Sequence, residues 1–178
     1  MDKVVEEGFD RLTELVTKTK LEQNAVLNKI AEGDAALLKK MIESVAPVIS
    51  EAGQEFMLKA KQDSKGDLYD QKYYDFKMIL LGKTEHPVEF RPDNPKKKVE
   101  QQYCVLSEKG ELFELMFSND GFIVDTYAAP LSIDDALEFY GYDILYMLFS
   151  AMREYSLAQQ DLLDALNITL GFMQNNKE

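Results

Sequence analysis

Turn signals crowd residues 72–127 and limit what that stretch can become. "RPDNP" (91–95), "EKG" (108–110) and "NDG" (119–121) interrupt aromatic, branched and leucine-rich runs that are only strand-long. Proline cannot sit inside a paired ladder, and Asp-Gly favours the tight turn of a hairpin. "KYYDFKMILLG" (72–82), two segments flanking "RPDNP" within 86–107, "ELFELMFS" (111–118) and "FIVDTY" (122–127) read as strands. Strands joined this closely pair antiparallel, so the sequence predicts a four- to five-stranded antiparallel β-meander.

The chain on either side has helical texture. Val4, Val5, Phe9, Leu12, Leu15 and Val16 form a one-sided stripe. Val26, Leu27 and Ile30 continue a helical pattern up to Gly33, a stop signal. Asp34 reads as the cap of a next helix carrying Leu37, Leu38, Met41, Ile42 and Val45, which Pro47 should end or kink. "SEAGQEFMLKAKQ" (50–62) reads as helix again, and "DSKGD" (63–67) as a loop. Beyond Pro130, Ser132 with Asp135 and Ser156 with Gln159 fit the capping box. They predict a C-terminal helical hairpin turning near Tyr155. The expected class is therefore α+β: N-terminal helices, the antiparallel meander, and the helical hairpin packed on the sheet. A chain of 178 residues suits one core. The single division its texture suggests falls near residue 68, between a helical module and the rest.

Charge excludes several partners. The net charge is −12 and the pI about 4.6, which repels nucleic-acid backbones and anionic membranes. No apolar run approaches the roughly 20 residues that span a bilayer. The acidic opening "MDKVVEEGFDRL" lacks the apolar segment of a secretory signal, and one cysteine, Cys104, allows no internal disulfide. The expectation is a cytoplasmic protein. The one basic run, Lys96 to Lys98, reads as solvated charges at a hairpin end.

Few residues carry chemistry. His86, the only histidine, has no second nitrogen or sulfur ligand at metal-binding spacing. Cys104 lies on a strand and reads as an inert thiol, although His86 would be the base if the fold brought the two together. No phosphate-binding or nucleophile-elbow motif occurs. Asp134, Asp135 and Glu138, or Asp161 and Asp164, would hold magnesium only if the helices made them converge.

The least ordinary stretch is "DDALEFYGYDILYMLFSAMREY", 134–155. On one continuous helix, Leu137, Tyr140, Ile144, Leu145, Leu148, Ala151 and Met152 gather on a side that must pack. Asp135, Glu138, Asp143, Ser150, Arg153 and Glu154 lie opposite, with Phe139, Tyr142 and Tyr146 among them. Residues 131–178 hold eight acids and two bases, which is half of the net negative charge. A one-sign surface bearing tyrosines suits a basic protein partner. The sequence thus points to a non-catalytic acidic interaction module: adaptor, inhibitor, immunity-type or chaperone-like. Its candidate contact residues are Asp135, Glu138, Tyr142, Asp143 and Tyr146. The alternative is a small-molecule-binding protein or magnesium-dependent enzyme using the carboxylates of the C-terminal hairpin. Surplus apolar surface on the N-terminal helices, and open strand edges, also predict a homodimer.

Overall fold

A computed structural model describes residues 3–175. The class is α+β. One N-terminal helix, α1 (Lys3–Ala52), leads into five antiparallel strands: β1 (Gln54–Gln62), β2 (Leu68–Lys83), β3 (Gln101–Ser107), β4 (Leu112–Asn119) and β5 (Ile123–Leu131). Two helices follow, α2 (Ile133–Tyr140) and α3 (Asp143–Asn175).

Several expected boundaries move. Gly33, Asp34 and Pro47 interrupt nothing, because α1 is a single 50-residue helix. A glycine inside a helix costs only about 1 kcal/mol, too little to break one that continues on both sides. Pro47 is carried by its surroundings: Ile42 and Ile49, on either side of it, are buried. The helix stops instead at Gly53, whose N–H donates to the Ile49 carbonyl at 2.7 Å. A β-carbon there would lie 2.5 Å from that carbonyl oxygen and 2.9 Å from Lys77 Cβ, so the turn into β1 is closed to larger residues. Lys77 Nζ donates to the Ser50 carbonyl at 2.8 Å and places a cation at the negative end of the helix.

Residues 54–62, expected as helix, are strand β1. Ladder pairing with β2 from Gln54↔Met78 to Gln62↔Leu68 overrides the helix-forming character of their side chains. The segment between β2 and β3 yields no first strand. It is an irregular excursion with one bridge, Phe90↔Lys98. The "NDG" hairpin forms as the sequence predicts. Asp120 Oδ1 accepts from the amides of Phe122 and Ile123, and Gly121 takes φ +88°.

The sheet closes into a barrel, β5 pairing with β1 at Lys59↔Asp125 through Lys61↔Ile123. Closure covers the open edges that the sequence led us to expect. Its geometry is informative. A plain five-stranded up-and-down order leaves the first and last strands parallel, yet β1 and β5 meet antiparallel. The strands must therefore coil through a large angle within the sheet. The ladders carry irregularities that allow this: three register shifts between β1 and β2, and one between β2 and β3 at Leu80/Gly82.

Alternation along the strands then serves two cores. Cys104, Leu106, Leu112 and Leu131 pack with Leu38, Ile42 and Ile49 of α1 and with Ile144, Leu145 and Leu148 of α3. Val105, Leu115 and Met78 form a second cluster with the ring pairs Tyr74–Phe76 and Phe76–Phe113 around it.

Candidate functional site

The helix expected over 132–155 is two helices. Ser132 caps α2 as the sequence predicts, its Oγ accepting from the Asp135 amide at 3.1 Å. Ser156 caps nothing, because it lies inside α3. The turn falls at Gly141 rather than near Tyr155. Gly141 adopts φ +57° and donates its N–H to the Leu137 carbonyl at 2.9 Å. A glycine at positive φ one residue past a helix end is a stop signal legible in "EFYGYD".

This corner divides the aromatic residues by role. Ile144, Leu145 and Leu148 are buried against the barrel, and Leu137, Tyr140, Ala151 and Met152 pack partly against the same core. On the far side Phe139, Tyr142, Tyr146 and Phe149 are 73, 66, 65 and 59% exposed. Tyr146 and Phe149 share one face of α3, and Tyr142, in the turn just before the helix, stands four residues ahead of Tyr146. Asp134, Asp135, Glu138 and Asp143 are exposed around them. All five candidate contact residues are therefore on the surface of one corner. Phe149 completes their aromatic face and was not picked out from the sequence.

Beside the corner lies a cavity of about 910 Å³. Phe139, Tyr146, Asp135 and Asp143 stand on its helical side, with Lys83, Glu85 and His86 on its barrel side. Glu138 and Tyr142 are not among the residues that line it. Its polar heart is Glu114 of β4, only 6% exposed. Glu114 accepts from the Tyr140 hydroxyl at 2.5 Å, the Gln102 amide at 2.8 Å and the Thr84 hydroxyl at 3.1 Å. Among the described residues it makes no ion pair. Burial, and then the bond to Glu114, push the Tyr140 phenol well above its ordinary pKa, so it remains a donor at neutral pH. The network ties the end of β2, β3, β4 and α2 together. The one sign of Glu114 in "ELFELMFS" is that Leu112, Glu114 and Met116 share a strand face; Phe113, Leu115 and Phe117 make the other face apolar as well, so the sequence left its burial undecided.

Cys104 is fully buried, while His86 is exposed on the cavity rim. Burial, with the charge of Glu114 second, holds the Cys104 thiol far above its usual range, so it is no nucleophile at neutral pH. Among the described residues no group of three His, Cys, Asp or Glu side chains is placed to hold a metal ion, so Asp134, Asp135 and Glu138 do not converge on one. Nor is any described helix long and apolar enough to cross a membrane.

Lys97 of the basic run is not free either. It pairs with Asp125, which also takes Arg91 Nη1 at 2.9 Å. Arg91 forks onto Asp93 at 2.9 and 2.6 Å and lies over the Tyr127 ring. The cluster clamps the excursion between β2 and β3 onto β5.

Comparison of the chain with protein-family models, curated proteins and solved structures finds no match.

Proposed function

We propose that the protein is a non-catalytic interaction module that binds a basic protein partner at the corner of α2 and α3. One observation carries the reading: four large aromatic side chains, Phe139, Tyr142, Tyr146 and Phe149, are more than half exposed on a helix–turn–helix corner whose opposite side is firmly packed. Rigid aromatic area supplies binding energy at small entropic cost, and interfaces concentrate it. The acids around it, Asp135, Glu138 and Asp143, are met by no base on α3 before Arg153. Such a surface attracts a partner that brings lysine or arginine beside an apolar anchor. The protein also self-associates in this reading, through a different surface.

The test is a double substitution, Tyr142→Ser with Tyr146→Ser, assayed against a partner captured by crosslinking to the wild-type chain. Binding should weaken at least about 30-fold, the equivalent of one tyrosine anchor at about 2 kcal/mol. Stability should move by no more than about 0.5 kcal/mol, as at exposed positions generally. Unchanged affinity in the double variant rejects the corner as the binding surface.

The buried carboxylate favours a second reading, a small-molecule site in the cavity. A nearly buried Glu114 with only neutral donors around it suits a compact cationic ligand with apolar flanks. In that case aliphatic and aromatic amines raise the melting temperature of the wild-type protein, and Glu114→Gln abolishes the rise. A flat response across an amine panel removes this reading and leaves Glu114 as the fastener of α2.

A further inference from the structure

Residues 9–33 of α1 are exposed at every position, a rod of about 37 Å at 1.5 Å per residue. Helix in water owes most of its stability to a packed face, and among the described residues nothing covers that one. The uncovered face is ordered. Phe9, Leu12, Val16, Val26 and Ile30, between 55 and 69% exposed, fall on positions spaced alternately three and four residues apart, with the exposed Leu15 and Leu27 flanking that line and Leu21 off it. Thr19 and Gln23 occupy the two intervening seam positions. A seam of period 3.5 is matched only by another helix supercoiled along it. With Phe9, Val16, Gln23 and Ile30 as the first core position of each heptad, the branched Val16 and Ile30 favour two strands.

We infer that α1 pairs with α1 of a second copy of this chain, parallel and in register, which names the surface for the self-association proposed above and rests on that reading. The polar layers choose the copy. In register, Gln23 meets Gln23 and Thr19 meets Thr19, so each polar group has a polar mate instead of an apolar one, and a slip of one heptad breaks both layers. Charge chooses the direction. Flanking positions five residues apart then bring Lys29 beside Asp34 of the second copy, and no like charges meet. The antiparallel arrangement that also matches Gln23 with Thr19 crosses at residue 21. It sets Lys20 against Lys20 and Glu22 against Glu22.

Sedimentation of the full chain at micromolar concentration should give twice the 20.4 kDa chain mass. Val16→Lys with Ile30→Lys should return it to 20.4 kDa and lower helicity, with the near-ultraviolet tyrosine signal of the barrel retained. Leu12→Cys should form a disulfide dimer under mild oxidation, since Cys104 is buried. In the antiparallel pair the two cysteines would stand about 27 Å apart along the axis and stay reduced. Leu12→Cys that crosslinks only when mixed with Ile30→Cys overturns the parallel arrangement. A dimer that survives the lysine pair and dissociates on Leu166→Lys, on the exposed distal part of α3, overturns the choice of α1 while self-association stands. A wild-type monomer overturns both.

Discussion

Arg91→Ala is expected to cost about 3 kcal/mol, the low end of what breaking a buried ion pair costs. The guanidinium is 7% exposed and holds two carboxylates at once, Asp93 and Asp125. Removing it leaves Asp125, 14% exposed, with Lys97 as its one ion-pair partner among the described residues, and strips the cover from Tyr127. Asp93 is 31% exposed and recovers part of its hydration, which is why the low end applies. A urea titration measures the loss, and hydrogen exchange should locate it in residues 85–99. A change below about 1 kcal/mol would mean that the cluster behaves as an ordinary solvent-screened pair. Acid gives a second readout. The bond from Arg91 holds the Asp93 carboxyl below its ordinary pKa. A carboxyl depressed on folding contributes stability that is present above its unfolded pKa, about 3.9, and is lost as pH falls through the lower folded value. Wild-type stability should therefore fall below about pH 4, and the Arg91→Ala profile should be flatter there. Part of the slope should persist, because backbone amides of Ile123 and Phe122 depress Asp120 independently.

Leu148→Ala should destabilise the fold by about 2–5 kcal/mol. Leu148 is fully buried where α3 crosses the barrel, in the cluster that also holds Leu106, Leu131 and Ile144. Thermal or urea unfolding of Leu148→Ala beside the Tyr142/Tyr146 serine pair separates packing from recognition on one helix. If the tyrosine pair loses as much as Leu148→Ala, the aromatic face is core and the proposed contact surface fails.

Local chemistry carried the readings that held. Asp-Gly at 120–121 made its turn because the bonds that shape it come from within three residues. Ser132 capped α2 for the same reason. The buried stripe of Ile144, Leu145 and Leu148 followed from helical spacing, which Gly141 interrupts only before it begins. Where distant contacts outweighed local preference, the same reasoning failed. "QEFMLKAKQ" is made of helix formers, yet its backbone groups found partners on β2 and β5. Gly33, Pro47 and Ser156 are punctuation that cooperative helices run through.

By its own pattern the sequence determined the α+β class, the antiparallel pairing, the net acidic charge and the stripe of α3 that must be buried, since each rests on periodicity, turn signals or composition. Only the tertiary structure decided that the sheet closes, because Lys59 and Asp125 lie 66 residues apart in the chain and no local rule brings them together. It alone placed Glu114 behind Tyr140, Gln102 and Thr84, a carboxylate whose burial depends on three other elements. It alone left residues 9–33 of α1 bare. A stripe announces that something will cover it, and only the tertiary packing shows that nothing among the described residues does.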